Sequence, residues 1–251
     1  MRKVEKEKFA MDILKDENQI YLQSALKRNT PEENEILEES VKSADWSVFA
    51  YRNEEKEQKR GEFHPLAAME IPEIENRRQE FMELGIKAIQ DGKVGAVLLA
   101  GGQGTRLGLD KPKGTLNIGV TKTRYLFEQL IENLKEVTDV AKAYVPLYIM
   151  TSNINHQDTK DFFQEHDYFG YPKEYISFFI QEMVPCCDFS GNAYLESSTQ
   201  VAMSPNGNGG WFISMKKAGL LEELHQRKVQ WLNVFAVDNC LQKIADPVFV
   251  T

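Results

Sequence analysis

The sequence predicts an α/β fold with a mostly parallel sheet. Four short apolar runs lie after residue 92, and each is long enough to form one strand. Amphipathic helical patterns separate these runs. Before residue 93 the chain is rich in charge and shows only helical periodicity. We therefore predict a helical N-terminal segment over residues 1–92 and an α/β domain over residues 93–251.

The N-terminal segment is predicted to contain several amphipathic helices. Apolar residues recur at helical spacing over residues 9–26. Residues 30–33 (TPEE) predict a capping box with proline in the first helical turn. We expect the helix that begins there to bury Ile36, Leu37 and Val41.

A polar stretch separates these helices from the last one of the segment. Residues 52–60 are predicted to form a solvated loop, because charged residues dominate them. Residues 71–73 (IPE) predict the start of the next helix, and Gly92 predicts its end. One face of this helix carries Phe81, Leu84, Ala88 and Ile89.

The four apolar runs are interpreted as the strands of the sheet. They are residues 94–100, 145–150, 176–180 and 231–237. An unbroken run such as VGAVLLA at 94–100 is typical of a central parallel strand that is covered on both faces. The helices predicted between the strands are residues 125–137, 157–166 and 214–227.

Composition argues against several classes of function. The formal net charge is −8, from 38 acidic and 30 basic residues, so we expect no bulk attraction to nucleic acid or to an anionic membrane. No apolar stretch is long enough for a membrane span, and the amino terminus lacks the apolar run of a signal peptide. The three cysteines, Cys186, Cys187 and Cys240, indicate reduced thiols in the cytoplasm. The four histidines lack the spacing of zinc ligands.

The segment after the first predicted strand carries the most information about function. Gly101, Gly102 and Gly104 follow that strand within four positions. Without Cβ atoms, such a backbone can approach a ligand closely and direct its N–H groups at phosphate oxygens. Arg106 and Lys113 lie close enough in sequence to add positive charge to the same phosphates.

Two common glycine-rich motifs are excluded by the residues that follow. A Walker loop needs Gly-Lys before Ser or Thr, whereas this chain has Lys113-Gly114-Thr115. The dinucleotide fingerprint needs a glycine where Leu107 stands. A tight turn with structural glycines and solvated cations remains the alternative interpretation of these residues alone.

A family resemblance extends over about residues 93–249. The sequence LLAGGQGTRLG at 98–108, followed by PKG at 112–114, resembles the signature of the eukaryotic UDP-N-acetylglucosamine pyrophosphorylases, a branch of the sugar nucleotidyltransferases. Further matches occur in family order: YIMTS at 148–152, DFFQEHDYFG at 161–170, QEMVP at 181–185, SPNGNGG at 204–210 and VDNCLQKIADPVF at 237–249. The resemblance implies a Rossmann-like nucleotidyltransferase core.

The resemblance also assigns roles to individual residues. It implies nucleotide binding by Ala100, Gly101, Gly102, Gly104, Thr105, Gln181 and Gly207. Among these, Gln181 matches the glutamine that reads uracil. Arg106 and Lys113 would grip the triphosphate and stabilise the departing pyrophosphate. Asn208 would face the sugar, and Asp238 would bind Mg²⁺. Taken one at a time, each of these residues also has an ordinary structural interpretation, such as a turn, a helix cap or a solvated charge.

The implied reaction joins UTP to N-acetylglucosamine 1-phosphate and yields UDP-N-acetylglucosamine and pyrophosphate. The sugar phosphate would attack the α-phosphorus in line, so catalysis would depend on positioning and charge neutralisation. Two alternatives remain open at this point. The chain could be a catalytically incomplete uridine-nucleotide-binding fragment or scaffold, or it could use another sugar 1-phosphate.

The sequence departs from the family pattern in two places. Asn206 stands where the family usually has aspartate, which removes one charge from that turn. The chain ends at Thr251, where family members continue for a comparable length. We therefore expect it to correspond to an N-terminal half, without much of the N-acetyl-sugar pocket and without a lysine that faces the phosphates.

Overall fold

The computed structural model describes residues 3–51, 61–104, 108 and 110–250. The chain forms two compact units. The first comprises Met1–His64 and Met183–Asn206, and the second comprises Pro65–Glu182 and Gly207–Thr251. No helix in the described ranges is long and apolar enough to cross a membrane. The loop predicted at 52–60 lies outside those ranges.

The described residues form α-helices and short strands. The α-helices are α1 Lys3–Lys15, α2 Ile20–Arg28, α3 Pro31–Ser43, α4 Ile71–Asn76, α5 Arg78–Gln90, α6 Leu126–Ala141, α7 His156–Glu165, α8 Trp211–Lys217 and α9 Leu220–Gln226. The strands are β1 Val94–Leu99, β2 Leu147–Thr151, β3 Ile176–Ile180, β4 Met183–Pro185, β5 Leu195–Ser197, β6 Gln200–Val201, β7 Met203–Pro205 and β8 Trp231–Ala236.

The first unit combines helices α1 to α3 with two small antiparallel strand pairs. β4 pairs with β7, and β5 pairs with β6. The fully buried side chains of this unit include Leu22, Leu37, Val41 and Trp46. Its helices could therefore be recognised from the sequence, whereas its strands are too short to produce a distinct pattern.

The second unit contains a four-stranded parallel sheet in the order β3-β2-β1-β8. The chain moves outwards from β1 through β2 to β3 and then returns to place β8 on the other side of β1. The register of the last pair runs from Val94 opposite Trp231 to Leu99 opposite Ala236. The strand order thus reverses at β1, and in open α/β sheets ligands bind outside the carboxyl ends of the strands at such a point.

Both faces of this sheet are covered by apolar side chains. Leu98 packs with Phe127 and Leu130 of α6 on one face. Val97 packs with Met215 of α8 and with other buried residues on the opposite face. Because successive strand residues point to opposite faces, covering both faces requires an unbroken apolar run. This confirms the α/β fold with a mostly parallel, Rossmann-like sheet and the four predicted strands.

The predicted capping box is present at the start of α3. The Oγ1 of Thr30 accepts a hydrogen bond from the Glu33 N–H at 3.3 Å, and the Glu33 carboxylate accepts one from the Thr30 N–H at 2.9 Å. Leu37 and Val41 are buried as expected, but the expectation for Ile36 is wrong, since half of it is exposed. Helix α3 packs through a face narrower than its apolar stripe.

Two of the predicted helices are interrupted. The helix expected from residue 71 to Gly92 divides at Arg77 into α4 and α5, and Leu84 on α5 is half exposed although Phe81 is buried. The helix predicted at 214–227 begins earlier and divides into α8 and α9. Gly219 lies between these two with φ of +78°, a conformation that ends a helix.

Residue 92 lies inside the compact unit that contains the parallel sheet. Helices α4 and α5 belong to the unit that contains the parallel sheet. Ile89 of α5 is buried in the same cluster as Val94 of β1, so the helix and the strand share one core. Residues 183–206 leave that unit and join the N-terminal helices. The division into domains at residue 92 stays a prediction.

Candidate functional site

The glycine-rich loop begins where the pairing of β1 ends. The Ala100 N–H, one residue after β1, donates to the Met150 carbonyl of β2 at 2.8 Å. A Cβ atom at Gly101 would lie 2.7 Å from the Oε1 of Gln181, closer than real Cβ contacts allow. A Cβ at Gly102 would meet nothing within 4 Å. A side chain at position 101 would therefore displace the Gln181 amide, whereas Gly102 faces open space.

Residues 111–113 fold back onto this loop. The Gly104 N–H donates to the Lys111 carbonyl at 3.1 Å, and the Lys113 N–H donates to the Gly102 carbonyl at 3.3 Å. Gly114 is buried against the ring of Phe127, and any Cβ at that position would overlap the ring. The Pro-Lys-Gly sequence thus places Lys113 beside the glycine loop, as its sequence neighbourhood suggested.

An ion pair closes this side of the loop. Val237 follows β8, and its N–H donates to the Leu99 carbonyl at 3.1 Å. The next residue, Asp238, forms an ion pair with the Nζ of Lys113. Their side chains are 62% and 29% exposed, respectively. A predicted metal ligand and a predicted phosphate-binding cation therefore lie in contact and remain accessible to solvent.

The opposite side of the loop is formed by Gln181 at the end of β3. Its N–H donates to the Thr151 carbonyl at 2.7 Å, and its Nε2 donates to the Gly207 carbonyl at 2.8 Å. Gln181 is 5% exposed, so this amide contact is buried. Gly207 has φ of +83°, which favours glycine. Two predicted nucleotide-binding residues thus contact each other next to Gly101.

Asn208 begins a short 3-10 turn, Asn208–Gly210, and its side chain is exposed. This turn is held by a residue that the sequence analysis did not identify, Ser214. The Oγ of Ser214 donates to the Gly210 carbonyl at 2.9 Å and accepts from the Glu182 N–H at 3.0 Å. The serine is almost fully buried and links the turn to the end of β3. No sequence pattern indicated this contact.

A second residue missed by the sequence analysis is Asn155, directly before α7. Its side chain is fully buried, and its Nδ2 donates to the carbonyls of Ala100 at 3.0 Å and Gly102 at 3.3 Å. Its Oδ1 accepts from the Ser152 N–H at 2.8 Å. An asparagine before a helix is an ordinary N-cap signal. Here the side chain does not cap α7, and it contacts the glycine loop instead.

His156 lies beside this asparagine as the first residue of α7. Its Nδ1 is 2.7 Å from the Oγ1 of Thr151, which itself donates to the Phe179 carbonyl. Partial burial lowers the pKa of His156, and the nearby charge of Lys160 acts in the same direction. A neutral imidazole is therefore favoured beside Thr151.

The remaining predicted site residues have different outcomes. Thr105 and Arg106 lie outside the described residues. Asn206, the departure from the family pattern, has a buried Oδ1 with no hydrogen-bond partner in the described part of the chain. The roles that the family resemblance assigns to the site residues stay predictions.

The donor set suits a magnesium ion only when phosphates share it. Within the described ranges there is no group of three His, Cys, Asp or Glu residues that could hold a metal. Asp238 offers one accessible carboxylate at the end of β8. Magnesium is commonly bound by one or two carboxylates together with substrate phosphates and water. The residues present fit that kind of site and do not form a metal cage of their own.

Comparison with known proteins identifies related sequences. Over residues 42–251 the chain matches the family described as UTP–glucose-1-phosphate uridylyltransferase. It is 36% identical over 207 residues to the UDP-N-acetylglucosamine diphosphorylase 2 of Arabidopsis thaliana, which covers 74% of this chain and 41% of the relative. It is 41% identical over 178 residues to the UDP-N-acetylglucosamine pyrophosphorylase of Saccharomyces cerevisiae, covering 69% of this chain and 37% of the relative.

A solved structure supports the same relationship. The crystal structure of the uridine diphosphate N-acetylglucosamine pyrophosphorylase from Trypanosoma brucei aligns with a TM-score of 0.77 at 28% identity. That alignment covers 98% of this chain and 54% of the other. The chain thus spans about half, or less, of the length of the relatives that it resembles.

Proposed function

The chain belongs to the UTP–glucose-1-phosphate uridylyltransferase family, and from this premise we propose that it forms UDP-N-acetylglucosamine and pyrophosphate from UTP and N-acetylglucosamine 1-phosphate. The observation that carries the proposal is the setting of the glycine loop. The loop lies at the reversal point of the strand order, with Gln181 on one side and the Lys113–Asp238 pair on the other. The names of the relatives favour N-acetylglucosamine as the sugar.

In this proposal the uracil ring binds on the Gln181 side of the loop. A glutamine amide carries both a donor and an acceptor, as does the edge of uracil. The hydrogen bond from its Nε2 to the Gly207 carbonyl limits how the amide can rotate. This restriction supports selection of uracil over a larger purine, because the amide is oriented before the base arrives.

The phosphates of the nucleotide bind on the Lys113 side. The sugar 1-phosphate oxygen attacks the α-phosphorus in line, and pyrophosphate leaves on the opposite side. The attacking phosphate is already ionised near neutral pH, so no general base is required. Lys113 and Arg106 neutralise the charge that develops on the departing pyrophosphate.

Asp238 would hold the magnesium ion together with phosphate oxygens of the nucleotide. When bound, the ion would supply charge neutralisation at those oxygens. A carboxylate that binds the cation would have a weaker attraction for Lys113, its present partner. The lysine would then be available to contact the pyrophosphate moiety.

The description of the family favours a second candidate sugar, glucose 1-phosphate. A third candidate activity is uridine-nucleotide binding without turnover. A panel of sugar 1-phosphates distinguishes the first two, and the absence of pyrophosphate release with retained UTP binding identifies the third.

The proposal places the reaction in the cytoplasm. The three cysteines are free thiols, which suits a reducing compartment. Fractionation of the source cells, with an antibody against the chain, tests this placement. Recovery in a secreted or organelle fraction would contradict it.

The first test is a calorimetric titration with magnesium–UTP, using magnesium–ATP as the control. We expect selective binding of UTP. Pyrophosphate release is then measured with UTP and either N-acetylglucosamine 1-phosphate, N-acetylgalactosamine 1-phosphate or glucose 1-phosphate. A folded chain that binds neither nucleotide, or both equally, would contradict the proposed site.

A further inference from the structure

The side chain of Asn155 forms three hydrogen bonds, and two of them hold the glycine loop. Its Nδ2 donates to the carbonyls of Ala100 and Gly102, and its Oδ1 accepts from the Ser152 N–H. The side chain is 0% exposed, so these three contacts are shielded from water. Buried amide contacts of this kind are costly to leave unmade.

Holding a carbonyl also orients the N–H group of the next residue. In a trans peptide the C=O of one residue and the N–H of the next point in opposite directions. The two carbonyls bound by Asn155 belong to the peptides that carry the N–H groups of Gly101 and Gln103. Both N–H groups must therefore point away from Asn155.

The N–H groups of Gly101 and Gln103, and that of Gly102 between them, have no hydrogen-bond acceptor in the described part of the chain, whereas the N–H groups on either side of these three do. The Ala100 N–H donates to Met150, and the Gly104 N–H donates to Lys111. The loop between them is partly exposed. At the reversal point of the sheet, the N–H groups of Gly101 and Gln103 thus have no acceptor among the described residues, and Asn155 binds the carbonyl oxygen of each of their two peptides.

We propose that Asn155 is a positioning residue, which holds the N–H groups of Gly101 and Gln103 towards acceptor oxygens of the bound nucleotide. This inference rests on the proposed function. Asparagine suits the task because one planar group supplies both the donor for the loop carbonyls and the acceptor for the Ser152 N–H. An aspartate would keep the acceptor but would turn a second oxygen towards the two carbonyls.

The test compares Asn155→Asp with the wild-type chain by calorimetric titration of magnesium–UTP at about pH 8. We expect at least about a tenfold loss of UTP affinity, because the Ala100 carbonyl loses the Asn155 donor and the Gly102 carbonyl keeps only the Lys113 N–H. The matched control is Ser152→Ala, which removes an oxygen that accepts from the Asn155 N–H in the same turn but leaves the loop contacts in place. This control should bind UTP within about twofold of the wild type.

A pH series separates positioning from general loss of structure. Burial favours the protonated form of the introduced carboxyl, which regains one O–H donor for the loop. The difference in UTP affinity between the wild type and Asn155→Asp should therefore become smaller as the pH falls from about 8 to about 5.5. Protonation also relieves the cost of burying the charge, so the affinities are compared only at pH values where urea unfolding shows that the variant is fully folded. If Asn155→Asp does not fold, Asn155→Ser serves instead, since it cannot reach both carbonyls and buries no charge.

An independent measurement reads the loop without nucleotide. Backbone ¹⁵N relaxation should show lower order parameters for Gly101 and Gln103 in the Asn155 variants than in the wild type and in Ser152→Ala. Unchanged order parameters would overturn the inference, as would unchanged UTP affinity in a wild type that binds UTP. If the wild type binds no UTP, the proposed function fails, and the relaxation data still decide the role of Asn155.

Discussion

The two sides of the glycine loop are held together in different ways. On one side, Gln181 is 5% exposed and donates to the Gly207 carbonyl through a buried hydrogen bond. On the other side, Lys113 and Asp238 form an ion pair whose carboxylate is 62% exposed. A buried hydrogen bond keeps its geometry because breaking it leaves a polar group unsatisfied. An exposed ion pair contributes little stability and exchanges its partners readily.

This difference corresponds to two separate requirements of the proposed reaction. Discrimination between bases needs a fixed arrangement, since a group that adapts to every base selects none. Charge neutralisation needs cations and carboxylates that can move from one partner to another during turnover. The buried side therefore suits recognition, and the accessible side suits catalysis. The predictions below test this division, from the largest expected effect to the smallest.

Lys113→Ala should lower turnover by about 100- to 1000-fold, because the proposed reaction loses one cation that would stabilise the departing pyrophosphate. The free energy of unfolding should change by less than about 1 kcal/mol, since the lost ion pair is exposed. Steady-state pyrophosphate release and urea unfolding measure the two effects. Lys111→Ala is the matched control, because that side chain is exposed and only its backbone contacts the loop. If turnover falls equally in Lys113→Ala and Lys111→Ala, Lys113 has no specific role in the mechanism.

Gln181→Ala should reduce the affinity for UTP by about 10- to 100-fold, because it removes the buried amide that we propose pairs with the base. Its affinity for ATP should change much less, so the preference for UTP should decline. Titrations with both nucleotides measure this ratio. Gln164→Ala, at an exposed position of α7, is the control. If Gln181→Ala binds both nucleotides more weakly but keeps the wild-type preference for UTP, a residue other than Gln181 selects the base.

Gly101→Ala should destabilise the chain by about 1–2 kcal/mol, because the new Cβ would lie 2.7 Å from the Oε1 of the buried Gln181. Gly102→Ala is the matched variant at the next residue, where a Cβ meets nothing within 4 Å. We expect no measurable loss of stability for it. Urea unfolding of the two variants makes the comparison, and equal stability would show that Gln181 is not held in place.

The smallest effect concerns pH. Burial lowers the pKa of His156 in the folded chain, so the unfolded chain binds the proton more readily. The stability that this group contributes is therefore present above about pH 6.5 and is lost as the pH falls towards the folded pKa. His156→Asn should give a flatter curve of unfolding free energy against pH between about 5 and 8.

The control for this curve is His64→Asn, because the side chain of His64 is 79% exposed. That variant should retain the slope of the wild type. A slope that persists in His156→Asn would assign the pH dependence to another group.

The fold was predictable where a single physical requirement produced a strong pattern. The run at Val94–Leu99 is unbroken because both faces of β1 are covered, and few other structures require this. The helical predictions were less accurate because an apolar residue on a helix need not face the core. Ile36 is half exposed although its neighbour Leu37 is fully buried. Gly219 divides a predicted helix through its backbone conformation, which hydrophobic spacing does not encode.

The candidate site was predictable to the extent that its residues belong to recognisable local patterns. The glycines after β1 and Lys113 are close in sequence, and the structure brings them together. Asn155 and Ser214 were missed because their partners are set by tertiary contacts. The loop carbonyls that Asn155 binds lie more than 50 positions earlier in the chain. A capping signal before a helix gives no sign of such a partner.

The strand order also has a consequence for the order of folding. Trp231 pairs with Val94, 137 positions earlier, whereas the first residue of β3 pairs with the first residue of β2, only 29 positions away. Closing the longer loop costs more chain entropy, so we expect β1, β2 and β3 to associate before β8 docks. Pulsed amide exchange during refolding should then protect β2 earlier than β8. The glycine loop would therefore form early in folding, and the Lys113–Asp238 ion pair would form only after β8 has docked.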